Sequence, residues 1–295
     1  MIMEPGQTSL IDKITRAMPR LSRGQKAIAN YILAHYEQAA YMTAARIGEE
    51  AAVSESTVVR FAMELGFNGY PHFQKVLQEE LKVRLTSVQR MKASLKLTDR
   101  DDIPGAVLLA DQEKLKKTHE LLDRDAFNRA VDLILDAQKI YILGVRSSAP
   151  LASFLGFYFN LIFDNVRLVH TTSVSELFEQ ILSVKQGDVM IGISFPRYSR
   201  RTIQAMSYSR STGATVIALT DKAGNPIANN ADVCLLAPSD MTSFVDSLVA
   251  PLSVINALIA AIGYKRQDTV SQTLEKLERI WDEYEVYDKS DLTNG

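Results

Sequence analysis

The chain is poor in several things, and each shortage excludes a class. It has a single cysteine, Cys234, in 295 residues, so no internal disulfide framework is available. Cys234 lies in the apolar run from Asp232 to Ala237, where a buried free thiol is expected. No early segment joins a basic start to an apolar stretch, so a secretory signal is not expected. No apolar run is long enough to span a bilayer; the segment from Phe154 to Phe163 reaches about half that length and is followed by Asp164. Net charge is only −2, so the chain as a whole is no polycation. These absences point to a cytoplasmic protein without a membrane segment. What remains is ordinary for a packed core, 46% hydrophobic residues, at a length that allows two domains.

The stretch from Asp188 to Asp221 organises the second half. An apolar run, Val189 to Ile193, breaks into Ser194-Phe195-Pro196-Arg197-Tyr198-Ser199. A helical pattern with Ile203, Met206 and Tyr208 follows, then Gly213 and a second apolar run, Thr215 to Leu219, ending in Thr220-Asp221. Two β-rich runs around one helix read as a βαβ unit with parallel strands covered on both faces. Further strands are expected at Ile140–Leu143, Val166–Val169 and Val233–Ala237. Helices are expected at Asp125–Ala137, from Pro150 to Phe163, at Val174–Leu182 and at Ser243–Ile262. Five parallel strands alternating with helices give a three-layer α/β sandwich.

In such sheets ligands bind beyond the carboxyl ends of the strands. Those ends carry Arg146, Ser147 and Ser148 after the first strand. They carry Ser194, Arg197, Tyr198 and Ser199 after the third, and Thr220 with Asp221 after the fourth. Hydroxyls and free N–H groups at a helix start hold an anion such as phosphate, although serine also serves as a plain N-cap. No nucleophile–base pair stands out and no cofactor or metal is implied. For an isomerase the candidate bases are Glu176, Glu179 and His170, which form no defensible constellation.

The first third reads differently. Leu10 to Tyr36 suggests two helices broken near Pro19, with Ser22 as N-cap of the second. Five basic residues, Lys13, Arg16, Arg20, Arg23 and Lys26, cluster there against Glu4 and Asp12. Next, Thr43 caps a short helix burying Ile47 and Ala51, Ala52-Val53 turns, and Ser54 caps a second helix burying Val58, Phe61 and Ala62. That is a helix-turn-helix, whose second helix enters the major groove, unless it is only a helical hairpin. Thr43, Ser54, Ser56 and Thr57 are placed to approach DNA phosphates, and Arg60 to pair with guanine. Tyr70 and His72 are candidates for the DNA backbone, or else Phe67, Tyr70 and Phe73 staple the core. A polar break at Leu97–Gly105 marks a linker.

The run Val53-Ser54-Glu55-Ser56-Thr57-Val58-Val59-Arg60-Phe61, followed by Leu65-Gly66-Phe67-Asn68-Gly69-Tyr70, resembles the N-terminal domain of RpiR-type transcriptional regulators. The segment from Asp125 to Tyr264 is similar to the sugar isomerase (SIS) domain, which holds phosphosugars on a Gly-x-Gly-x-Ser loop and a Ser-x-Ser-Gly-x-Ser/Thr loop. Ser148, Ser194 and Ser199 carry over. Arg146 stands at the second glycine of the first loop, and Pro196-Arg197 replace Ser-Gly in the second. Arginines at a phosphosugar site suggest an acidic or unusual phosphorylated ligand, unless Arg197 is only a surface or interface residue.

The resemblance implies a regulator of carbohydrate catabolism genes, not an enzyme; repression relieved by ligand is the more usual arrangement in the family, and the sequence leaves the sign open. The regulator would bind double-stranded operator DNA as a homodimer or homotetramer, respond to a phosphorylated sugar effector, and associate with the nucleoid when on DNA. The domains expected are 1–85 for DNA, 86–122 as helical linker, 123–265 as SIS domain, and 266–295 as C-terminal helix and tail. That helix carries an apolar stripe (Val270, Leu274, Leu277, Ile280, Trp281, Tyr284), for a dimer interface or for its own core. The rival readings are a phosphosugar isomerase and a phosphosugar sensor acting through a protein partner.

Overall fold

A computed structural model describes residues 10–84, 102–170, 173–239 and 245–287. The chain divides into two compact units, Met1–Lys96 and Leu97–Gly295.

The first unit is all helical. Helix α1 (Leu10–Ala17) runs into a 3-10 turn at Met18–Arg20, where Pro19 cannot continue an α-helix. Helix α2 (Arg23–Ala34) opens with a capping box: the Gln25 N–H donates to Ser22 Oγ, and the Ser22 N–H donates to Gln25 Oε1 at 2.9 Å. Then come α3 (Tyr36–Ala39), α4 (Ala44–Glu50), α5 (Glu55–Glu64) and α6 (Tyr70–Arg84). Ile14, Ile28, Ile32, Ile47, Val58, Phe61, Phe73 and Leu77 meet in a core closed to solvent. Phe73 meets Phe61 and Phe67 edge-on at 5.8 and 5.5 Å, worth about 0.5–1.5 kcal/mol each beyond burial. Helix α6 also straps the turn before α4. Tyr70 Oη and Gln74 Nε2 both donate to the Met42 carbonyl, at 2.6 and 2.7 Å, and Gln78 Nε2 donates to the Ala40 carbonyl at 2.8 Å. These bonds satisfy carbonyls that no helix uses.

The second unit is a five-stranded, all-parallel sheet in the order β2-β1-β3-β4-β5. The strands are β1 (Ile140–Gly144), β2 (Val166–Leu168), β3 (Val189–Ile193), β4 (Thr215–Thr220) and β5 (Val233–Leu236). Alternate residues of each strand face opposite layers. Ile140, Ile142, Ile191 and Ile217 pack under α8 (Arg124–Leu135), α9 (Ala149–Ile162) and α12 (Val249–Lys265). Tyr141, Leu143, Met190 and Val216 pack under α10 (Val174–Ile181) and α11 (Arg200–Ser211). Helix α7 (Ile103–Leu121) lies on α12, and α13 (Gln267–Glu283) follows α12.

Two expectations are corrected. The polar break does not last to Gly105, because helix α7 starts at Ile103. Asp102 caps it by accepting from the Gly105 N–H at 2.9 Å, and Pro104 sits in the first turn, where a missing N–H costs nothing. The helix expected from Ser243 begins at Val249 instead, with Pro251 in its first turn; residues 243 and 244 lie outside the described segments.

Candidate DNA-reading helix and anion-binding crevice

Thr43 caps α4, its Oγ1 accepting from the Arg46 N–H at 3.2 Å. The tight turn then places Ala52 at φ 53°, a left-handed conformation in which glycine is at ease. Gly48 lets the turn close, since a Cβ there would lie 2.8 Å from the Val53 carbonyl oxygen. Ser54 holds the N-cap position of α5, but its hydroxyl does not cap the backbone as expected. It bonds instead to Ser56 Oγ at 2.9 Å and Thr57 Oγ1 at 2.8 Å. Three hydroxyls thus gather at the start of α5. Arg60 lies exposed one turn on, its Nε donating to the Ser56 carbonyl at 3.3 Å.

Tyr70 is a core residue and not a DNA contact. It is 4% exposed, its hydroxyl is spent on Met42, and burial pushes its pKa up to about 12. His72 accepts from the Asn68 N–H at 3.2 Å and stacks edge-on against Phe67.

In the sheet, β1 and β3 are neighbours whose connections leave in opposite directions. Their carboxyl ends therefore form the switch-point crevice of this strand order. The loop after β1 enters that crevice from one side. Gly144 is required there, because a Cβ would meet the Ser148 carbonyl oxygen at 2.4 Å. Arg146 has φ 56°, so it keeps the left-handed backbone that a glycine adopts freely while presenting an exposed guanidinium. Ser147 is exposed and Ser148 buried, just ahead of α9.

The loop after β3 enters from the other side. Ser194 is buried, and its Oγ accepts from the Ser199 N–H at 3.1 Å. Ser199 caps α11 by accepting from the Thr202 N–H. Arg197 is exposed at the loop tip. Tyr198 Oη donates to Asp221 Oδ1 at 2.9 Å, tying this loop to the end of β4. Burial pushes the Asp221 carboxyl above the usual carboxylate range, against the opposing bond from Tyr198.

Thr220 is fully buried and does not line the crevice. Its hydroxyl donates to the Ser194 carbonyl at 2.8 Å and accepts from Asn225 Nδ2 at 2.9 Å, so it supports the loop from beneath. Sequence reasoning missed Asn225. It is buried, its Oδ1 accepts from the Ile227 and Ala228 N–H groups, and its Nδ2 is shared among Thr220, Asp221 and the Lys222 carbonyl. The Asn225-Pro226 pair, a turn initiator, was the available signal.

The isomerase bases are not assembled. Glu176 closes a capping box with Ser173, Glu179 is exposed, and the backbone of His170 is clasped on both sides by the Gln180 amide. Among the described residues no cluster could hold a metal ion, and no helix is long and apolar enough to cross a membrane.

A helical unit bearing a helix-turn-helix, followed by an α/β unit with a switch-point crevice, is the makeup of a transcriptional regulator. Residues 8–84 match the helix-turn-helix domain of the rpiR family, and residues 133–261 match the SIS domain. The chain belongs to the RpiR family of transcriptional regulators. It is 29% identical over 270 residues to the HTH-type transcriptional regulator HexR of Pseudomonas aeruginosa, covering 88% of this chain and 90% of that one. Identity to HexR of Escherichia coli is 28% over 282 residues, covering 92% and 94%. Among solved structures, the sugar isomerase domain of an RpiR transcription factor from Sphaerobacter thermophilus superposes with a TM-score of 0.58 at 29% identity, over 60% of this chain and 98% of that one. Vibrio vulnificus NanR, solved with ManNAc-6P, superposes at 0.57 with 20% identity over 92% and 98%, a likeness of fold.

Proposed function

We propose that this regulator represses carbohydrate-catabolism genes and releases its operator when a phosphorylated sugar or sugar acid fills the SIS crevice. One observation carries the ligand reading: two serine-bearing loops, each leading into a helix N-terminus, meet at one switch point with an arginine on each. Ser147, Ser148, Ser194 and Ser199 would hold the phosphate, with the positive ends of α9 and α11 behind them. Arg146 and Arg197 would take a second acidic group, since guanidinium pairs with carboxylate in bidentate fashion. Tyr198 and Thr220 would fix the second loop in place.

At the other end, the hydroxyls of Thr43, Ser54, Ser56 and Thr57 would meet DNA phosphates and Arg60 a guanine edge. One such helix reads few bases, so the protein acts as a cytoplasmic homodimer or homotetramer on paired half-sites. Apolar side chains left exposed on α7 (Leu108, Leu109) and α13 (Leu274, Ile280) supply contact surface for this. Of the α13 stripe, Val270 packs on the sheet's own core. The protein is not an enzyme.

The test is fluorescence anisotropy on the DNA upstream of its own and neighbouring genes, with a panel of sugar phosphates and phosphorylated sugar acids. Specific binding is expected, weakened by one compound about 5–150-fold, the range of a ~1–3 kcal/mol coupling. Arg60→Ala should lower specific affinity about tenfold or more while leaving effector binding intact. Absence of specific binding at moderate salt, with every compound tried, overturns the reading.

A further inference from the structure

Thr202 is fully buried, and its Oγ1 has no hydrogen-bond partner among the described residues. Its backbone N–H is committed to Ser199 Oγ at 3.4 Å; the hydroxyl is not committed at all. Polar atoms closed to solvent are nearly always paired, so an orphan hydroxyl calls for an explanation.

Its place in the fold supplies one. Thr202 and Met206 are one turn apart on the buried face of α11. Met206 lies over Gly192 of β3, so close that a Cβ at Gly192 would meet its Sδ at 2.3 Å. Thr202, four residues nearer the helix start, therefore lies over the carboxyl end of β3, where Ser194 begins the crevice loop. Helical side chains lean toward the N-terminus, so this one leans toward the loop Ser194–Ser199 and the mouth of α11. The N-terminus itself offers N–H groups and a positive dipole end. A buried donor without an acceptor, at the end of a helix that attracts anions, is half of a hydrogen bond.

We infer that Thr202 is a ligand-binding residue, its hydroxyl donating to an anionic oxygen of the phosphate seated at the start of α11. The inference rests on the phosphosugar reading of that crevice and adds a contact that the loop serines do not supply. It also gives Thr202 opposite effects in the two states. In the free protein the hydroxyl is a desolvated group without return. In the complex it makes a charge-assisted bond, the stronger kind.

Thr202→Val keeps the shape and removes the hydroxyl; Thr202→Ser keeps the hydroxyl. Thermal unfolding and calorimetric titration of the full chain with inorganic phosphate, against chloride at equal ionic strength, read both effects. Thr202→Val is expected to be at least as stable as wild type without phosphate and to bind phosphate about tenfold or more weakly, the loss for a hydrogen bond to a charged group. Thr202→Ser should bind within about threefold of wild type. Equal phosphate affinity in wild type and Thr202→Val overturns the inference and leaves the crevice reading standing. Marked destabilisation of phosphate-free Thr202→Val overturns it as well, since the hydroxyl would then have a partner in the free protein. A wild type that phosphate does not stabilise beyond chloride overturns the anion site itself, and Thr202's role with it.

Discussion

Two helix starts in this molecule use the same chemistry in opposite surroundings. At α5, the Ser54 hydroxyl bonds to those of Ser56 and Thr57, with both serines exposed. At α11, Ser194 and Ser199 bond to backbone N–H groups, and Ser194 and Thr202 are buried. Exposed hydroxyls rotate freely toward a phosphate at little cost, but water and salt screen the attraction, so many contacts must add up. Buried hydroxyls are fixed in advance and act in a weaker dielectric, so a few suffice if the geometry fits. The first arrangement suits a polyanion gripped along its length, the second a single small anion.

The largest expected effects come from separating the two starts by their glycines. Gly144→Ala pushes a Cβ into the Ser148 carbonyl at 2.4 Å, and Gly48→Ala pushes one toward the Val53 carbonyl at 2.8 Å. Both obstacles are backbone and cannot swing aside. Each substitution should cost about 1–3 kcal/mol as overpacking does, with Gly144→Ala the costlier. Gly144→Ala should abolish the response to effector with operator binding retained. Gly48→Ala should do the reverse. Titrations of each variant with operator DNA and effector check this; a variant that lost both functions alike would mean the two starts do not work separately.

A second effect, about 0.5–1.5 kcal/mol, tests what belongs to the DNA face at all. Tyr70→Phe removes the hydroxyl bonded to Met42 and should lower the unfolding midpoint of the helical head. Its affinity for operator should stay at the wild-type value when measured well below that midpoint. A loss of affinity without a loss of stability would return Tyr70 to the DNA surface.

Most of the architecture was legible because periodicity reports burial. The apolar runs of the strands Val189–Ile193 and Thr215–Thr220 announced a sheet covered on both faces, and Ser22 and Thr43 announced helix starts. The crevice was legible as residue types at strand ends. Which hydroxyl faces outward was not, because that depends on partners distant in sequence. Thr220 looks like a ligand contact until Ser194 and Asn225 are brought to it, and Tyr70 looks like a surface phenol until Met42 is. Ser54 does not cap the backbone, and its hydroxyl bonds instead to those of Ser56 and Thr57. Arg146 looked like a break with the family's glycine loop. The backbone there, at φ 56°, is still a glycine's, and only the side chain departs.

The smallest expected effect concerns the buried helix start. Burial raises the Asp221 carboxyl above its ordinary range of about 4, more than the bond from Tyr198 lowers it. A carboxyl whose folded pKa is raised favours folding in its protonated form. That contribution is complete below the unfolded pKa and is lost as pH rises through the folded one. Burial therefore opposes the charged form of this carboxyl in the crevice. Asp221→Asn keeps an acceptor for Tyr198 and Asn225 and removes the charge. The variant should unfold at a higher temperature than wild type at pH 7, and the gap should close as pH falls below about 4. A gap that opened on acidification would mean that the bonds from Tyr198 and Asn225 hold the carboxylate as an anion. The crevice would then carry a fixed negative charge opposite Arg146 and Arg197, and it would favour a ligand with fewer acidic groups than proposed above.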